Sequence, residues 1–297
     1  MATNPATRRL APPPHRTLGP PKLKLPPGAC DCHFHFLGPQ TEFPFNPNRN
    51  FVPDVDHEDS TIEDWKKMQS ALGLTRGLLV QSMMYYPSYE MVLHGLSLMP
   101  DRLRAVVSPR AGISDRELDI LTKAGTVGIR FTHPTGKVID QTLVRRTHEF
   151  GWSMHYLLHG DEHVAAWRKD ILASPGKFVI EHIANTPVEK GLDHPTFKFV
   201  LECLDTGRCW VKLSPRISKQ ETFPFSDVAP FVKALVARAP NRLLWGSDWP
   251  HPQYWRPMPS DSDLLDMMLD WAPDEAVRKK IFVDNPAEAF GFPAVKS

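Results

Sequence analysis

The stretch ACDCHFHF (residues 29–36) decides the fold, because it is the first of eight short runs of β-forming residues that alternate with amphipathic stretches. The later runs are RGLLVQS (76–82), LRAVVSP (103–109), VGIRFTH (127–133), WSMHYLLH (152–159), KFVIEHIA (177–184), CWVKLS (209–214) and RLLWGSDWP (242–250). Several of the stretches between them begin with Ser, Thr or Asp, the residues that cap helices. Eight β-then-α repeats predict a single α/β domain with the (β/α)8 fold of a TIM barrel, and an open doubly wound sheet is the alternative.

Two segments fall outside the repeats. Residues 1–28 are rich in proline and basic residues, and proline removes backbone donors, so we predict an extended proline-rich N-terminal arm before a barrel at 29–297. The segment 37–60, between the first strand and its helix, is too long for a simple connection. In a barrel it would hang over the C-terminal face, where the βα loops build active sites.

The balance of charge argues against nucleic acid as a partner, and the lengths of the apolar runs argue against a membrane. The 297 residues include 35 Lys and Arg and 34 Asp and Glu, which leaves a formal net charge of +1 and no field suited to nucleic acid. No apolar run reaches the roughly 18 residues that span a bilayer. We therefore predict a cytoplasmic protein without nucleic-acid or membrane partners, whose four cysteines are reduced. The sequence leaves open whether the chain forms a homo-oligomer.

The first predicted strand carries two histidines on one face. In CDCHFHF, the alternation of side chains puts His33 and His35 on one side and Cys32, Phe34 and Phe36 on the other. Side chains at the C-terminal ends of barrel strands point into the mouth of the barrel. We therefore expect two imidazoles to converge there.

Two further ionisable side chains stand at matching strand ends. His182 ends the sixth run and Asp248 ends the eighth, with His251 just beyond it. Taken singly, each has an ordinary alternative, because a strand histidine is often a core residue and an aspartate in SDWP can cap a turn. Together with His33 and His35 at one rim, they predict a catalytic site.

Five motifs in barrel order carry a family resemblance. They are CDCHFHF, GIRF, VIEHIAN, WVKLS followed by Arg216, and WGSDWPHP. The histidine pair on the first strand with an aspartate on the eighth resembles the amidohydrolase superfamily. The full set is similar to its metal-independent lactonase branch, which contains the 2-pyrone-4,6-dicarboxylate hydrolases. This resemblance covers residues 29–292.

The resemblance implies an activity and catalytic roles. It implies a hydrolase that opens, or in reverse forms, a small carboxylated lactone such as a pyrone dicarboxylate or a muconolactone-type compound. Asp248 would activate water as the general base, while His33, His35 and His182 polarise the ester carbonyl. This assignment agrees with general chemistry, since a carboxylate can take a proton from water while imidazoles stabilise the developing oxyanion.

The resemblance also implies residues that bind the substrate. Arg130 and Arg216 would bind its carboxylates, which suit the planar fork of a guanidinium, and pairing with internal carboxylates is the alternative. Ser82, at the end of the second run, is a candidate further donor. Two departures put the pyrone dicarboxylate itself in doubt, because KAGTVGIRF lacks an expected arginine and Phe51 stands where a tyrosine is expected.

Whether a metal takes part depends on the fifth run, WSMHYLLH. If His155 points inward, His33, His35, His155 and Asp248 could bind one divalent ion, zinc or manganese. If Tyr156 points inward instead, its ring lines the substrate pocket. The lactonase branch works without metal, so we predict no cofactor. The alternative function is a metal-dependent decarboxylase or hydro-lyase of the aminocarboxymuconate-semialdehyde decarboxylase type, and a third hypothesis is an inactive barrel that mediates assembly.

Overall fold

A computed structural model shows a barrel of parallel strands surrounded by helices. It describes residues 9–11, 13–47, 55–132, 138–252 and 257–293, with the backbone alone for 9–11 and 55–57. The strands are β1 (Arg9–Ala11), β2 (Cys30–Phe34), β3 (Val55–His57), β4 (Arg76–Val80), β5 (Leu103–Val107), β6 (Thr126–Phe131), β7 (Ser153–Tyr156), β8 (Phe178–Ile180), β9 (Cys209–Leu213) and β10 (Leu243–Trp245). The helices are α1 (Ile62–Leu72), α2 (Glu90–Leu98), α3 (Asp115–Ala124), α4 (Gln141–Glu149), α5 (Asp161–Leu172), α6 (Pro195–Asp205), α7 (Ala229–Arg238), α8 (Asp261–Trp271), α9 (Glu275–Lys279) and α10 (Asn285–Phe290).

Eight of these strands form one parallel sheet in the order β2, β4, β5, β6, β7, β8, β9, β10. The seam between the first and last strands is closed beyond β10. There the amide of Asp248 donates to the carbonyl of His33 at 2.8 Å, and the amide of His35 donates to the carbonyl of Trp249 at 2.8 Å. The predicted (β/α)8 barrel is confirmed, and the open doubly wound sheet is wrong.

Each of the eight predicted runs overlaps a barrel strand, and every strand ends before its run does, with the largest differences at β8 (four residues) and β10 (five residues). The run 177–184 leaves the sheet after Ile180, and the run 242–250 leaves it after Trp245. The reason is local, because His182 has φ of 47° and Asp248 has φ of 63°, and extended strands require negative φ. Both predicted site residues therefore lie in the turns that follow their strands.

The pairing of β6 with β7 decides which side chains face the barrel interior. Arg130 pairs with His155, and Phe131 pairs with Tyr156. Paired residues of a parallel sheet project to the same face, so the inward Arg130 carries His155 inward with it. Phe131 and Tyr156 project outward, and their rings stack with centroids 5.7 Å apart in the layer beneath the helices.

Strand β2 breaks the alternation that its sequence predicts. Cys32 belongs to a group of side chains that fill the interior of the barrel, here called the interior group, which also contains Trp210, Phe290 and Phe292. Phe34 instead packs outside the barrel on Trp65, with ring centroids 4.3 Å apart. The register of β2 against β4 shifts in the middle of the strand, which lets Cys32 and the adjacent His33 both face inward. The prediction that Cys32 shares the outer face of Phe34 is therefore wrong.

The C-terminal residues close the barrel at the end opposite the mouth. Phe290 and Phe292 belong to the interior group, and the guanidinium of Arg104 lies 5.1 Å from the ring centroid of Phe292. The ring of His155 stacks on Phe290 at 5.9 Å. His155 therefore lies deep in the barrel, next to this plug.

The N-terminal arm crosses the outer helices. Asp266 of α8 accepts hydrogen bonds from the amides of Lys22 (3.0 Å) and Leu23 (2.8 Å), and Arg16 pairs with Asp64 of α1 at 2.8 Å. Strand β1 of the arm pairs in parallel with β3 of the long first loop. The division into an arm at 1–28 and a barrel at 29–297 remains a prediction. Within the described ranges, no helix has both the length and the apolar character needed to cross a membrane.

Candidate active site

Asp248 lies where three imidazoles meet at the mouth of the barrel. Its Oδ1 is 3.5 Å from Nε2 of His33, 3.6 Å from Nε2 of His35 and 3.9 Å from Nε2 of His182. Only 7% of the Asp248 side chain is exposed, and the three histidines are buried. The structure therefore brings together the four residues that the sequence predicts to be catalytic.

The barrel seam holds this cluster in place. Asp31 of β2 accepts hydrogen bonds from the amides of His33 and Ser247, both at 3.0 Å, and from the Ser247 hydroxyl at 2.6 Å. The neighbouring residue is Gly246, where an added Cβ would lie 2.7 Å from Cβ of His33. The last strand can approach the first this closely because position 246 has no side chain.

A left-handed turn aims His182 at the cluster. Residues 182–185 all have φ between 47° and 56°, although none of them is glycine. Such a run costs conformational energy and persists only where the surroundings hold it, which is typical of functional sites. One support is Asn185, whose side-chain amide donates to the carbonyl of Leu158.

Arg216 pairs with the catalytic candidate itself. Its Nη1 lies 2.6 Å from Oδ2 of Asp248 and also donates to the carbonyl of Pro252 at 3.2 Å. Burial alone would raise the pKa of Asp248, but the charge of Arg216 and the neighbouring His182 outweigh burial and hold this pKa well below its usual range. Asp248 is therefore ionised at neutral pH.

A second buried carboxylate, Glu181, lies beneath the histidines. Its Oε2 accepts from Nε of Arg130 at 2.6 Å, and its Oε1 accepts from Nζ of Lys212 at 3.0 Å. Burial would raise the pKa of Glu181, but Arg130 and Lys212 lower it well below its usual range. The sequence left open that Arg130 pairs with an internal carboxylate. The structure shows this pairing for Nε of Arg130.

Sequence reasoning missed Glu181 and Lys212, although it quoted both of their motifs. Lys212 is 1% exposed and Glu181 is fully buried. A signal was available, because lysine and glutamate inside strands that are otherwise apolar are buried only when they are paired. Lys212 in CWVKLS and Glu181 in KFVIEHIA are such residues, and each follows a run of apolar neighbours.

Among the described contacts of Asp248 there is no hydrogen bond or ion pair with three further predicted residues, Tyr156, His155 and Ser82. The Tyr156 ring points away from the mouth, and its hydroxyl hydrogen-bonds to the Ser174 hydroxyl, so the pocket-lining orientation is not observed. His155 points inward but lies lower, with Nε2 3.1 Å from the Ser153 hydroxyl. The Ser82 hydroxyl accepts from the amide of Met84 at 3.2 Å. Residue 51 lies outside the described residues.

The surroundings of His35 and His182 indicate which ring nitrogen carries a proton. Nδ1 of His35 lies 2.8 Å from the carbonyl of Val80 and donates to it, so Nδ1 carries a proton. Burial is the main cause that lowers the pKa of His182 to about 3, so this ring is neutral. Nδ1 of His182 has no hydrogen-bond partner among the residues that the structure describes. A buried N–H is left unpaired less readily than a lone pair, so the proton of His182 belongs on Nε2, which faces Asp248.

The spacing of these ligand atoms resembles a metal site, but the groups around them do not fit one. Nε2 of His33, Nε2 of His35 and Oδ1 of Asp248 lie within 4.8 Å of one another, whereas His155 belongs to neither candidate ligand group among the described residues. A histidine that binds metal donates its other N–H to a carboxylate or carbonyl, as His35 does. Nδ1 of His33 instead faces the Lys212 ammonium at 3.1 Å, which is a donor. This donor set does not fit an ion bound through His33.

Comparisons with known proteins agree with the geometry. A family model described as Amidohydrolase matches residues 30–292. The 4-sulfomuconolactone hydrolase of Hydrogenophaga intermedia is 33% identical over 291 residues, which cover 94% of this chain and 93% of that protein. The 2-pyrone-4,6-dicarboxylate hydrolase of Comamonas testosteroni is 30% identical over 287 residues, covering 91% of this chain and 92% of that protein. An apo crystal structure from Agrobacterium tumefaciens superposes with a TM-score of 0.81 at 27% identity, over 93% of this chain and 100% of that chain. This chain belongs to the amidohydrolase family.

Proposed function

We propose that the protein is a hydrolase that opens a small lactone carrying an anionic group, with Asp248 as the general base. One observation carries the proposal: an ionised carboxylate at the barrel mouth with three imidazole Nε2 atoms at 3.5 Å to 3.9 Å and a guanidinium at 2.6 Å. A base beside donors that can hold an oxyanion is what ester hydrolysis requires.

The charge of the site favours an anionic substrate. Three buried or half-buried cations, Arg130, Lys212 and Arg216, pair with two buried carboxylates, Glu181 and Asp248, so the cations of these ion pairs outnumber the carboxylates by one. The names of the two relatives point the same way, since sulfomuconolactone and pyrone dicarboxylate are both anionic lactones. A divalent cation would meet unfavourable charge at the same place.

The reaction follows from the positions of the groups. Oδ1 of Asp248 takes a proton from water, and the water oxygen forms a bond to the lactone carbonyl carbon. The carbonyl oxygen becomes negative and accepts a hydrogen bond from the imidazole N–H groups of the cluster, one of which is Nε2–H of His182. When the ring C–O bond breaks, the leaving oxygen takes the proton from Asp248, and the product is an open-chain acid. Nδ1 of His35 is held by the Val80 carbonyl, so Nε2 is the nitrogen of His35 that faces Asp248 and the water.

Arg216 connects substrate binding to the strength of the base. In the unliganded site it neutralises Asp248, and an ionised aspartate with a strongly lowered pKa is a weak base. Arg216 is 25% exposed on its side chain, so an incoming substrate carboxylate or sulfonate can reach it. Once Arg216 turns to the substrate, the pKa of Asp248 rises and the carboxylate becomes a better base.

Further parts of the proposal concern the surroundings of the reaction. Arg130 of β6 and Ser82, which follows β4, are proposed to contact the substrate, and Arg130 would do so through its Nη groups because its Nε pairs with Glu181. The reaction needs no resident metal, because the charges and the Lys212 donor oppose one. The cytoplasm is the proposed location, in agreement with the four cysteines, which are all free.

The test is a panel of lactones offered to purified enzyme after treatment with a chelator. 4-Sulfomuconolactone and 2-pyrone-4,6-dicarboxylate are compared with the methyl esters of the dicarboxylate, which keep the ring and lose the charge. We expect kcat/KM for the charged lactone to exceed that for its ester by about 10²-fold, the value of one charge-assisted hydrogen bond. Equal rates on both, or no ring opening of any lactone, would contradict the proposal.

A further inference from the structure

We propose that Lys212 is a positioning residue that fixes the proton of His33 on Nε2, and thereby makes the cluster a hydrogen-bond donor to the lactone carbonyl rather than a metal site. This inference rests on the proposed function. It concerns a lysine that the reaction scheme does not use and that makes no contact with the water or the lactone in that scheme.

The contacts of Lys212 allow one arrangement of protons. Its Nζ lies 3.1 Å from Nδ1 of His33 and 3.0 Å from Oε1 of Glu181. An ammonium has three N–H groups and no lone pair, so it donates to both atoms. Nδ1 of His33 must then carry the lone pair. A His33 ring with one proton then carries that proton on Nε2.

The lysine cannot turn away from this bond. Its side chain is 1% exposed inside the barrel, on the same face of β9 as Trp210. Glu181, which holds the ammonium from the other side, is itself held by Nε of Arg130 at 2.6 Å. Within the described part of the chain, Nζ of Lys212 has no hydrogen-bond acceptor besides Oε1 of Glu181 and Nδ1 of His33. Packing therefore keeps the ammonium directed at His33.

The consequence is opposite for catalysis and for metal binding. Nε2 of His33 lies 3.3 Å from Nε2 of His35 and 3.5 Å from Oδ1 of Asp248, so a proton on Nε2 belongs to the cluster where the proposed reaction puts the lactone carbonyl. A metal would need the lone pair of that nitrogen, and the proton would have to move to Nδ1 against an ammonium. Without Lys212, Nδ1 would face Oε1 of Glu181 at 3.7 Å, the carboxylate–histidine pairing that supports metal ligands.

The experiment measures the tautomer and the affinity for zinc in the full-length enzyme. The ring nitrogens of ¹⁵N-histidine-labelled, metal-free protein are observed by long-range ¹H–¹⁵N correlation, and His33 is assigned by the loss of its signals in His33→Asn. In the wild type we expect Nε2 to be protonated and Nδ1 to be bare. Lys212→Met should move the proton to Nδ1, raise the affinity for Zn²⁺ at least about 10-fold and lower kcat by about 10²-fold.

Matched variants separate this role from a general loss of packing. Lys233→Met removes a lysine that is ion-paired on the surface with Asp270, and it should leave the tautomer, the zinc affinity and kcat unchanged. The wild-type spectrum tests the inference even if Lys212→Met does not fold. A proton on Nδ1 of wild-type His33 would overturn it, as would an unchanged tautomer and zinc affinity in Lys212→Met.

The two proposals fail separately. Lactone hydrolysis by metal-free wild type with a proton on Nδ1 of His33 would refute the role of Lys212 and leave the proposed function standing. The predicted tautomer in a protein that opens no lactone would refute the function instead.

Discussion

Glu181 is the most informative position for testing how the site is stabilised. It is fully buried, and its carboxylate compensates two buried cations, Arg130 at 2.6 Å and Lys212 at 3.0 Å. Glu181→Gln keeps the shape and removes the charge. Removing one partner of a buried ion pair costs about 3–5 kcal/mol, because it leaves an uncompensated charge.

This cost converts into a measurable change in melting temperature. For 297 residues, an unfolding entropy of about 2.1 cal/mol/K per residue gives roughly 0.6 kcal/mol per degree, so Tm should fall by about 5–8 °C. Differential scanning calorimetry at one scan rate measures the shift. Glu202→Gln is the matched control, since Glu202 pairs with Arg168 on the surface, and its Tm should move by less than about 1 °C.

The pH dependence supplies an independent check of the same reasoning. The folded pKa of Glu181 lies well below the ordinary value of 4.5, so its contribution to stability is present above that value and is lost as the pH falls toward the folded pKa. The difference in Tm between wild type and Glu181→Gln should be constant from pH 7 to 5 and narrow below about 4.5. In addition, the double variant Glu181→Gln, Lys212→Met should have a higher Tm than Glu181→Gln alone, because it contains one unpaired buried cation fewer. A Tm shift no larger than that of Glu202→Gln would refute the account of the buried network.

Two further variants test the arrangement around the base. Arg216→Met should raise the pKa of Asp248, so the acid limb of the kcat/KM profile moves to higher pH. The KM of this variant should rise far more for charged lactones than for their esters. Equal rises in both KM values would contradict the role of Arg216. Tyr156→Phe removes only the bond to Ser174, so it should cost about 1 kcal/mol of stability in a thermal melt and leave KM within about twofold of wild type. A large rise in KM would contradict the outward orientation of Tyr156, because it would mean that the ring contacts the substrate.

The fold could be predicted from the sequence because its signal is repeated. Eight runs of β-formers with amphipathic stretches between them leave few closed topologies, and each run overlaps a barrel strand. The early ends of β8 and β10 could not be predicted, since periodicity does not reveal positive φ at non-glycine residues such as His182 and Asp248. The register shift inside β2 was also invisible, because the pattern of CDCHFHF is compatible with regular alternation.

The candidate site was predicted in part. The convergence of the histidines on Asp248 follows from strand ends alone, whereas the parity of β7 needed the observed pairing of Arg130 with His155. Glu181 and Lys212 were not predicted, because strand ends indicate groups at the rim of the barrel and these two side chains are buried inside it. Their charges matter for the site all the same, since they set the protonation of the histidines above them.

The rate of Asp248→Asn on a charged lactone tests the central claim most directly. Asparagine keeps an oxygen for Arg216 and cannot accept a proton from water, so kcat should fall by about 10³-fold while KM changes little. The variant is compared with Asp270→Asn, a surface aspartate paired with Lys233, which should retain full activity. The account predicts this loss in chelator-treated enzyme with an unchanged Tm. Activity of Asp248→Asn within about tenfold of wild type would contradict it, because general-base catalysis contributes at least about 10²-fold.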